Sequence, residues 1–440
     1  MLLFLLLVPL ALVPAVAAAQ EAGWPGLQGD PAHLGVVSTE ISPPLKLQWR
    51  LRLPGTGDRG LSVPAIAPDG TGVANGRTQV VGFDSATGEI KWTKPRARGS
   101  LAGPAISPVG GESGTVIVAE GNGASNSGVL GLDLATGERR WRFAVREPVV
   151  AAPTVDGGVA YVGGRDRFAY AIDVETGKLR WKQPALGPVF AAPALSGGKV
   201  FVVSEDPATG QIRVVALAAD TGKRQWRFEL QTGVRLGSAA PTVGGDVVYV
   251  GLADSVLALR ATNGTELWSE PIPSTFSPLS SLALSGEGLY ALNGEGTLFR
   301  FDTETGARQW DFQFDQPTSA GSPLVDGRFV LVGLDDGDVA AVDAETGFLR
   351  WRGAGGVGPA GAMAPAGSIL LVSLQGRSGG FAALVHDPAG RLVRIESPTV
   401  LHVPEALLNF AAAFAAVLIA LMALFRFVPG LRPPAEGGLP

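Results

Sequence analysis

Cysteine is absent from all 440 residues, histidine occurs three times, and charged side chains make up only 17% of the chain. Without thiols there is no disulfide, no thiol nucleophile, no thiolate metal site and no N-terminal cysteine to carry a lipid. The histidines, His33, His386 and His402, are scattered, so neither a histidine metal site nor a His-based triad is expected. The formal net charge of -5 is spread out with no basic stripe, which argues against nucleic acid, whose backbone demands clustered Lys and Arg. Serines occur mainly in glycine-rich turns. What is plentiful is glycine (61) and proline (33), so turns are frequent and helices few. A hydrophobic share of 46% with nine tryptophans supplies enough apolar surface for a core that needs no disulfides.

The two ends differ from the rest. Residues 1–19 read as a secretory signal: a leucine-rich run from Leu2 to Val13, then Ala17-Ala18-Ala19 before Gln20, although the usual positive start is missing. An uncleaved anchor is the alternative, weakened by Pro9 and Pro14. From Ala406 to Phe425 only Asn409 is polar, and as a helix this run would match a hydrocarbon core of about 30 Å. A buried globular helix is the competing reading. Arg426 and Arg432 follow the run, which places the short tail inside and the preceding chain outside. The expected layout is a signal over 1–19, one domain over 20–403, a transmembrane helix over 404–428 and a cytoplasmic tail over 429–440. The chain is then exported and anchored in the cytoplasmic membrane.

Between the ends lies a repeat. Phe83-Asp-Ser-Ala-Thr-Gly-Glu-Ile-Lys-Trp92 recurs as Leu132-Asp-Leu-Ala-Thr-Gly-Glu-Arg-Arg-Trp141 and as Ile172-Asp-Val-Glu-Thr-Gly-Lys-Leu-Arg-Trp181. Further copies end at Trp226, Trp268, Trp310 and Trp351, and Trp49 lies 43 residues before Trp92. A spacing of 40 to 49 residues fits four short strands per unit, as in a propeller blade. In the third unit, strands are predicted at Ala151–Val155, Val159–Val162, Phe168–Asp173 and Lys178–Gln183, separated by glycine turns. Glycine of Thr-Gly provides the positive φ a tight hairpin requires, and the Asp before it can accept from the turn amides. Tryptophan follows that glycine by four residues on the outermost strand, where its indole can pack against the next blade. Such strict periodicity marks the tryptophans as architecture rather than a binding stripe.

Eight tryptophans (Trp49, Trp92, Trp141, Trp181, Trp226, Trp268, Trp310, Trp351) and eight inner-strand groups, beginning near Leu61, Ala102, Val150, Phe190, Gly237, Pro278, Ala320 and Ala360, predict an all-β, eight-bladed propeller of four-stranded antiparallel blades. Trp49 precedes the first group, so it is expected to complete the last blade. A weakened copy, His386-Asp-Pro-Ala-Gly-Arg-Leu-Val-Arg-Ile395, competes for that edge or leads to the membrane, and seven blades remain compatible with the sequence.

The Asp-x-x-Thr-Gly-x-x-x-Trp repeat, with Trp24-Pro-Gly-Leu-Gln-Gly-Asp-Pro-Ala-His33 ahead of it, resembles the pyrroloquinoline-quinone-like (quinoprotein-type) propeller family over about residues 24 to 396. The resemblance implies a blade-docking role for the tryptophans. It covers quinone-dependent alcohol and glucose dehydrogenases and also non-catalytic members, among them a scaffold lipoprotein of outer-membrane barrel assembly and extracellular sensors. The dehydrogenases hold their quinone beside Ca²⁺ with a carboxylate and amide cluster, and many carry an adjacent disulfide that cannot form here. No such cluster is recognisable. Asp335-Asp336-Gly337-Asp338 reads as a hairpin turn rather than a cation loop, and Glu120-Gly-Asn-Gly-Ala-Ser-Asn-Ser-Gly128 joins strands, with no helix to cradle phosphate.

No catalytic, cofactor-binding or metal-binding residue is therefore assigned. The expected function is an extracytoplasmic scaffold with a protein partner in the cell envelope. The alternatives are a divergent quinone- and Ca²⁺-dependent dehydrogenase and a ligand-sensing ectodomain, and no small-molecule ligand can be named. Barrel assembly is not specifically favoured, since the lipid-bearing cysteine is absent. A partner rim is expected on the loops opposite the Thr-Gly turns, carrying Arg59, Arg98, Arg146, Arg165, Arg167, Glu205, Arg235 and Asp254. Solvated loop charge is the plainer reading of each.

Overall fold

The third unit shows how one repeat folds. Its strands run Thr154–Asp156, Val159–Gly163, Phe168–Asp173 and Leu179–Pro184, paired antiparallel in that order. At the last hairpin the Gly177 amide donates to the Asp173 carbonyl at 2.8 Å. The Asp173 carboxylate accepts from the amide and the hydroxyl of Thr176, at 2.9 and 2.8 Å. Its other oxygen takes Arg180 at 2.7 Å, and this contact holds the carboxyl at about 2. Arg180 reaches it because the strand bulges just before Trp181. The same bulge precedes Trp92, Trp141, Trp226, Trp268, Trp310, Trp351 and Trp49. Asp, Thr, Gly and the residue before Trp thus form one local unit. Asp173→Ala is expected to destabilise the protein by about 1–2 kcal/mol, read by urea titration, because three donors lose their acceptor.

The structure is a computed structural model that describes residues 23–38, 41–52, 61–96, 99, 101–108, 114–121, 127–231, 239–272, 280–318, 321–353, 360–374, 380–390 and 400–401. The expected signal at 1–19, the membrane span at 404–428 and the tail lie outside them. Among the described residues no helix is long and apolar enough to cross a membrane, and the one helical turn is Leu27–Gly29.

Eight antiparallel sheets form, seven of four strands and one of five, which makes an eight-bladed propeller. The eighth blade is composite: Ala360–Ala366, Ile369–Leu374 and Gly380–His386 are completed on the outside by Leu45–Arg52. The N-terminal strand therefore closes the ring, and the weakened copy after His386 does not hold that edge. Phe381 of blade 8 stacks on Phe83 of blade 1 at 5.2 Å between centroids, with Trp49 edge-on to Phe83 at 6.5 Å.

Blades are glued by tryptophan. Seven of the eight indoles lie over the Thr-Gly (or Asn-Gly) turn of the following blade: Trp92 on Gly137, Trp141 on Gly177, Trp181 on Gly222, Trp226 on Gly264, Trp268 on Gly306, Trp310 on Gly347 and Trp49 on Gly88. A Cβ on Gly177, at φ 69°, would stand 2.6 Å from the Trp141 ring, so glycine is required both for backbone and for space. The ring nitrogen then donates across the interface, as from Trp141 to the Val174 carbonyl at 2.8 Å and from Trp181 to Ala219 at 2.8 Å. Aliphatic side chains from facing blades fill the rest, for example Val73, Val80 and Trp92 of blade 1 with Val116, Leu130 and Leu132 of blade 2.

Candidate functional site: the channel and its loop face

Inner strands of a propeller point one row of backbone amides into the channel, and buried amides need acceptors. Here the segment from Trp24 to Gly35 supplies them. Carbonyls of Trp24, Pro25, Pro31, Ala32, Leu34 and Gly35 accept from Ile66, Ile106, Leu195, Val243, Leu284 and Val325, one in each of blades 1, 2, 4, 5, 6 and 7, at 2.7 to 2.9 Å. Blade 3 is reached by a side chain instead, His33 Nε2 to Thr154 Oγ1 at 3.2 Å. The segment thus threads around the channel and ties the blades together from inside.

Its own side chains fill the axis. Leu27 packs against the cluster of Ala152, Ala192 and Ala240, one small residue from each of three consecutive blades, and Ala102 of blade 2 packs against the same cluster. Gln28 is buried and donates to the Leu282 carbonyl at 2.9 Å. His33 is 1% exposed, with Nδ1 3.0 Å from the Pro241 carbonyl. That oxygen can only accept, so Nδ1 carries the proton and Nε2 accepts from Thr154. Burial lowers the imidazole to about 4, only partly offset by Pro241. Asp30 shapes the turn, accepting from the Ala32 and Leu34 amides at 2.7 and 3.1 Å; burial nevertheless raises its carboxyl above the ordinary value. A cavity beside this turn, lined by Pro25, Leu27, Asp30 and His33, measures about 20 Å³, room for little more than one water.

A quinone with Ca²⁺ needs a cluster of hard oxygen ligands beside an open chamber. Among the described residues no group of three or more His, Asp or Glu side chains is placed to hold a metal ion, and the channel walls beside Leu27 are alanines. These residues do not fit the cofactor. Asp336 and Asp338 belong to a hairpin, with the Leu334 amide on the Asp338 carbonyl at 2.9 Å and Gly337 at φ 96°. Arg352 caps the turn from the neighbouring strand, binding Asp338 at 3.0 Å, Asp315 at 2.5 Å and Asp336. The carboxylates of Asp336 and Asp338 are thus already engaged by the protein's own cation.

Of the expected rim, Arg59, Arg98 and Arg235 lie outside the described residues. Arg146, Arg165 and Arg167 are exposed, and the Arg165 amide donates to the Pro148 carbonyl at 3.2 Å, which joins the loop of blade 3 to the connection from blade 2. Arg165 lies 5.7 Å over the half-buried Phe190 ring. Asp254 is exposed on blade 5, apart from them, accepting from Ser255 at 3.0 Å. Glu205 is a correction: it pairs with Ile212 inside the strand Lys199–Asp206 and is 5% exposed, so it is no loop charge. Sequence reasoning missed Arg96, whose buried guanidinium joins the carbonyls of Gly76 and Ala119 and so staples blade 1 to blade 2. Desolvation drags it down to about 10, with Glu120 pulling the other way.

Known proteins share this architecture. The chain is 26% identical over 332 residues, 71% of each chain, to the outer membrane protein assembly factor BamB of Burkholderia pseudomallei. The crystal structure of BamB from Moraxella catarrhalis superposes with a TM-score of 0.60 at 19% identity, covering 79% of this chain and 100% of that one. A quinohemoprotein alcohol dehydrogenase of Pseudomonas putida is 31% identical over 134 residues, which is 26% of this chain and 19% of the enzyme. The profile of the family described as outer membrane protein assembly factor BamB matches residues 45–148, 125–282, 213–365 and 277–398 in overlapping stretches, and the chain belongs to that family.

Proposed function

We propose that this protein is a non-catalytic scaffold of the cell envelope, exported by the signal at 1–19, held at a membrane by the apolar run 406–425, and presenting its loop face to a protein partner. The observation that carries this reading is the occupied channel: the chain's own Trp24–Gly35 segment satisfies the inner amides and fills the axis with Leu27, Gln28 and His33. What remains for recognition is the loop face, where Arg146, Arg165 and Arg167 are exposed on a rigid frame. The relatives' role as assembly factors supports a protein partner. The lack of cysteine means that anchoring here would use a helix instead of a lipid.

The test is in-cell photocrosslinking of the full chain, comparing wild type with the Arg146→Glu, Arg165→Glu, Arg167→Glu triple variant. Reversing three exposed charges is expected to reduce the crosslinked partner by roughly tenfold or more, as like charges meet across a complementary interface. The melting temperature should stay within about 2 °C, since exposed substitutions cost little. An unchanged partner band removes the rim from the interface. Saturable quinone and Ca²⁺ binding with dye-linked oxidation of alcohols would replace the scaffold reading altogether.

A further inference from the structure

The sixth blade is the one with five strands. Val400–Leu401 adds outside Arg308–Gln313, with Leu401 opposite Trp310 and Val400 opposite Asp311. With that strand in place the receiving edge is more covered than its counterparts. Its residues Trp310, Asp311 and Phe312 are 1%, 8% and 4% exposed, whereas the outer strands of blades 1, 2, 3 and 5 alternate between exposed and more buried positions. The position after the tryptophan is basic in blades 2, 3, 4 and 7 (Arg142, Lys182, Arg227 and Arg352), uncharged in blades 1 and 5 (Thr93 and Ser269) and acidic in blade 6, at Asp311.

We infer that the outer edge of blade 6 is the docking site for the chain's own C-terminal connector, and that this contact sets the orientation of the ring at the membrane. The direction follows from the register. Arg308–Gln313 leaves the Gly306 turn and runs toward the loop face, so its antiparallel partner runs back and exits at the Thr-Gly face. Ala406, where the apolar run begins, is five residues past Leu401 and within about 18 Å of it even if fully extended. The Thr-Gly face of blade 6 is therefore turned toward the bilayer, and the loop face bearing Arg165 and Arg167 away from it. The orientation, though not the docking, rests on the membrane anchor proposed above.

The absence of cysteine makes the test direct. Opposed residues on antiparallel strands place their Cβ atoms about 4.5–5.5 Å apart, within reach of a disulfide after slight adjustment. Asp311→Cys combined with Val400→Cys in the full chain is expected to oxidise to an intramolecular disulfide, identified by peptide mass spectrometry. Arg227→Cys with Val400→Cys, the equivalent position on blade 4, should give at least about tenfold less. Equal yields, or none from the first pair, overturn the docking. For orientation, Glu304→Cys on the blade 6 Thr-Gly turn and Glu295→Cys on its opposite loop each receive a fluorophore in vesicles holding quencher-labelled lipid. Stronger quenching at 304 is expected, and stronger quenching at 295 refutes the orientation. No quenching at either site removes the membrane anchor itself, while the disulfide still decides the docking.

Discussion

Replacing Trp226 with alanine is expected to lower the unfolding free energy by about 3–5 kcal/mol, the range for truncating a buried aromatic. The indole is 8% exposed, sits against the Gly264 turn of the next blade and meets Phe201 of its own blade at 5.9 Å between centroids. Its Nε1 donates to the Ala261 carbonyl at 2.9 Å. Two sheets fixed on either side cannot collapse into the space it leaves, and the carbonyl loses its partner. Trp49 provides the comparison. It is half-buried over Gly88, and its ring nitrogen has no hydrogen-bond partner. Trp49→Ala should therefore cost less, by about the 1 kcal/mol of a net hydrogen bond. Urea titration of both variants decides the matter. If Trp49→Ala proves equally costly, the indole-to-carbonyl bonds add nothing to blade adhesion.

Such docking was legible in the sequence because it is local and periodic. Asp, Thr, Gly and Trp stand at fixed separations, so one copy explains all, and eight tryptophans with Trp49 out of order announce both the blade count and the composite last blade. Phe168–Asp173 is matched at both ends. The inner strand of that blade begins at Thr154, three residues later than expected, because Ala151, Ala152 and Pro153 belong to the channel wall approach and make no ladder. Glu205 was misplaced for a related reason. Ser204-Glu205-Asp206 reads as polar loop, but in blade 4 the ladder continues through Ser204 with Arg213, Glu205 with Ile212 and Asp206 with Gln211. Partners across the sheet, and not the residues' own polarity, extend that strand.

The channel segment was the least legible part. Trp24 to His33 has neither period, and its role depends on carbonyls, which every residue owns alike. Gln28 and His33 take left-handed backbone at φ 54° and 60°, unusual for residues other than glycine, which only the surrounding contacts can enforce. A clue was present in Gly-Asp-Pro-Ala-His, a turn sequence placed where a propeller strand should not yet begin. Arg96 and Arg352 were hidden for the same reason: each satisfies acceptors brought to it by the ring. Local chemistry builds the blades, and long-range hydrogen bonds close the hole between them.

That division yields the second large effect, which depends on pH. His33 is held neutral at about 4, whereas an unfolded imidazole titrates near 6.5. Between those values the unfolded state binds a proton that the native state refuses, so stability falls as pH falls through this window. The contribution is complete above about pH 6.5 and exhausted near pH 4, a loss of about 3 kcal/mol for the full shift. Asp30 faces the same turn and works in the opposite sense: its raised carboxyl is a burden while ionised, relieved as acid protonates it. Thr154 and Pro241, the partners from blades 3 and 5, do not titrate. His33→Asn isolates the imidazole, since asparagine tolerates left-handed backbone and keeps a donor and an acceptor. At pH 7 the variant should be the less stable protein, because it fills the site less well. Its deficit should shrink by about 3 kcal/mol as pH is lowered toward 4. Parallel stability curves for the two proteins would mean that the imidazole is hydrated in solution, and that the channel is open to water where Leu27, Gln28 and His33 now close it.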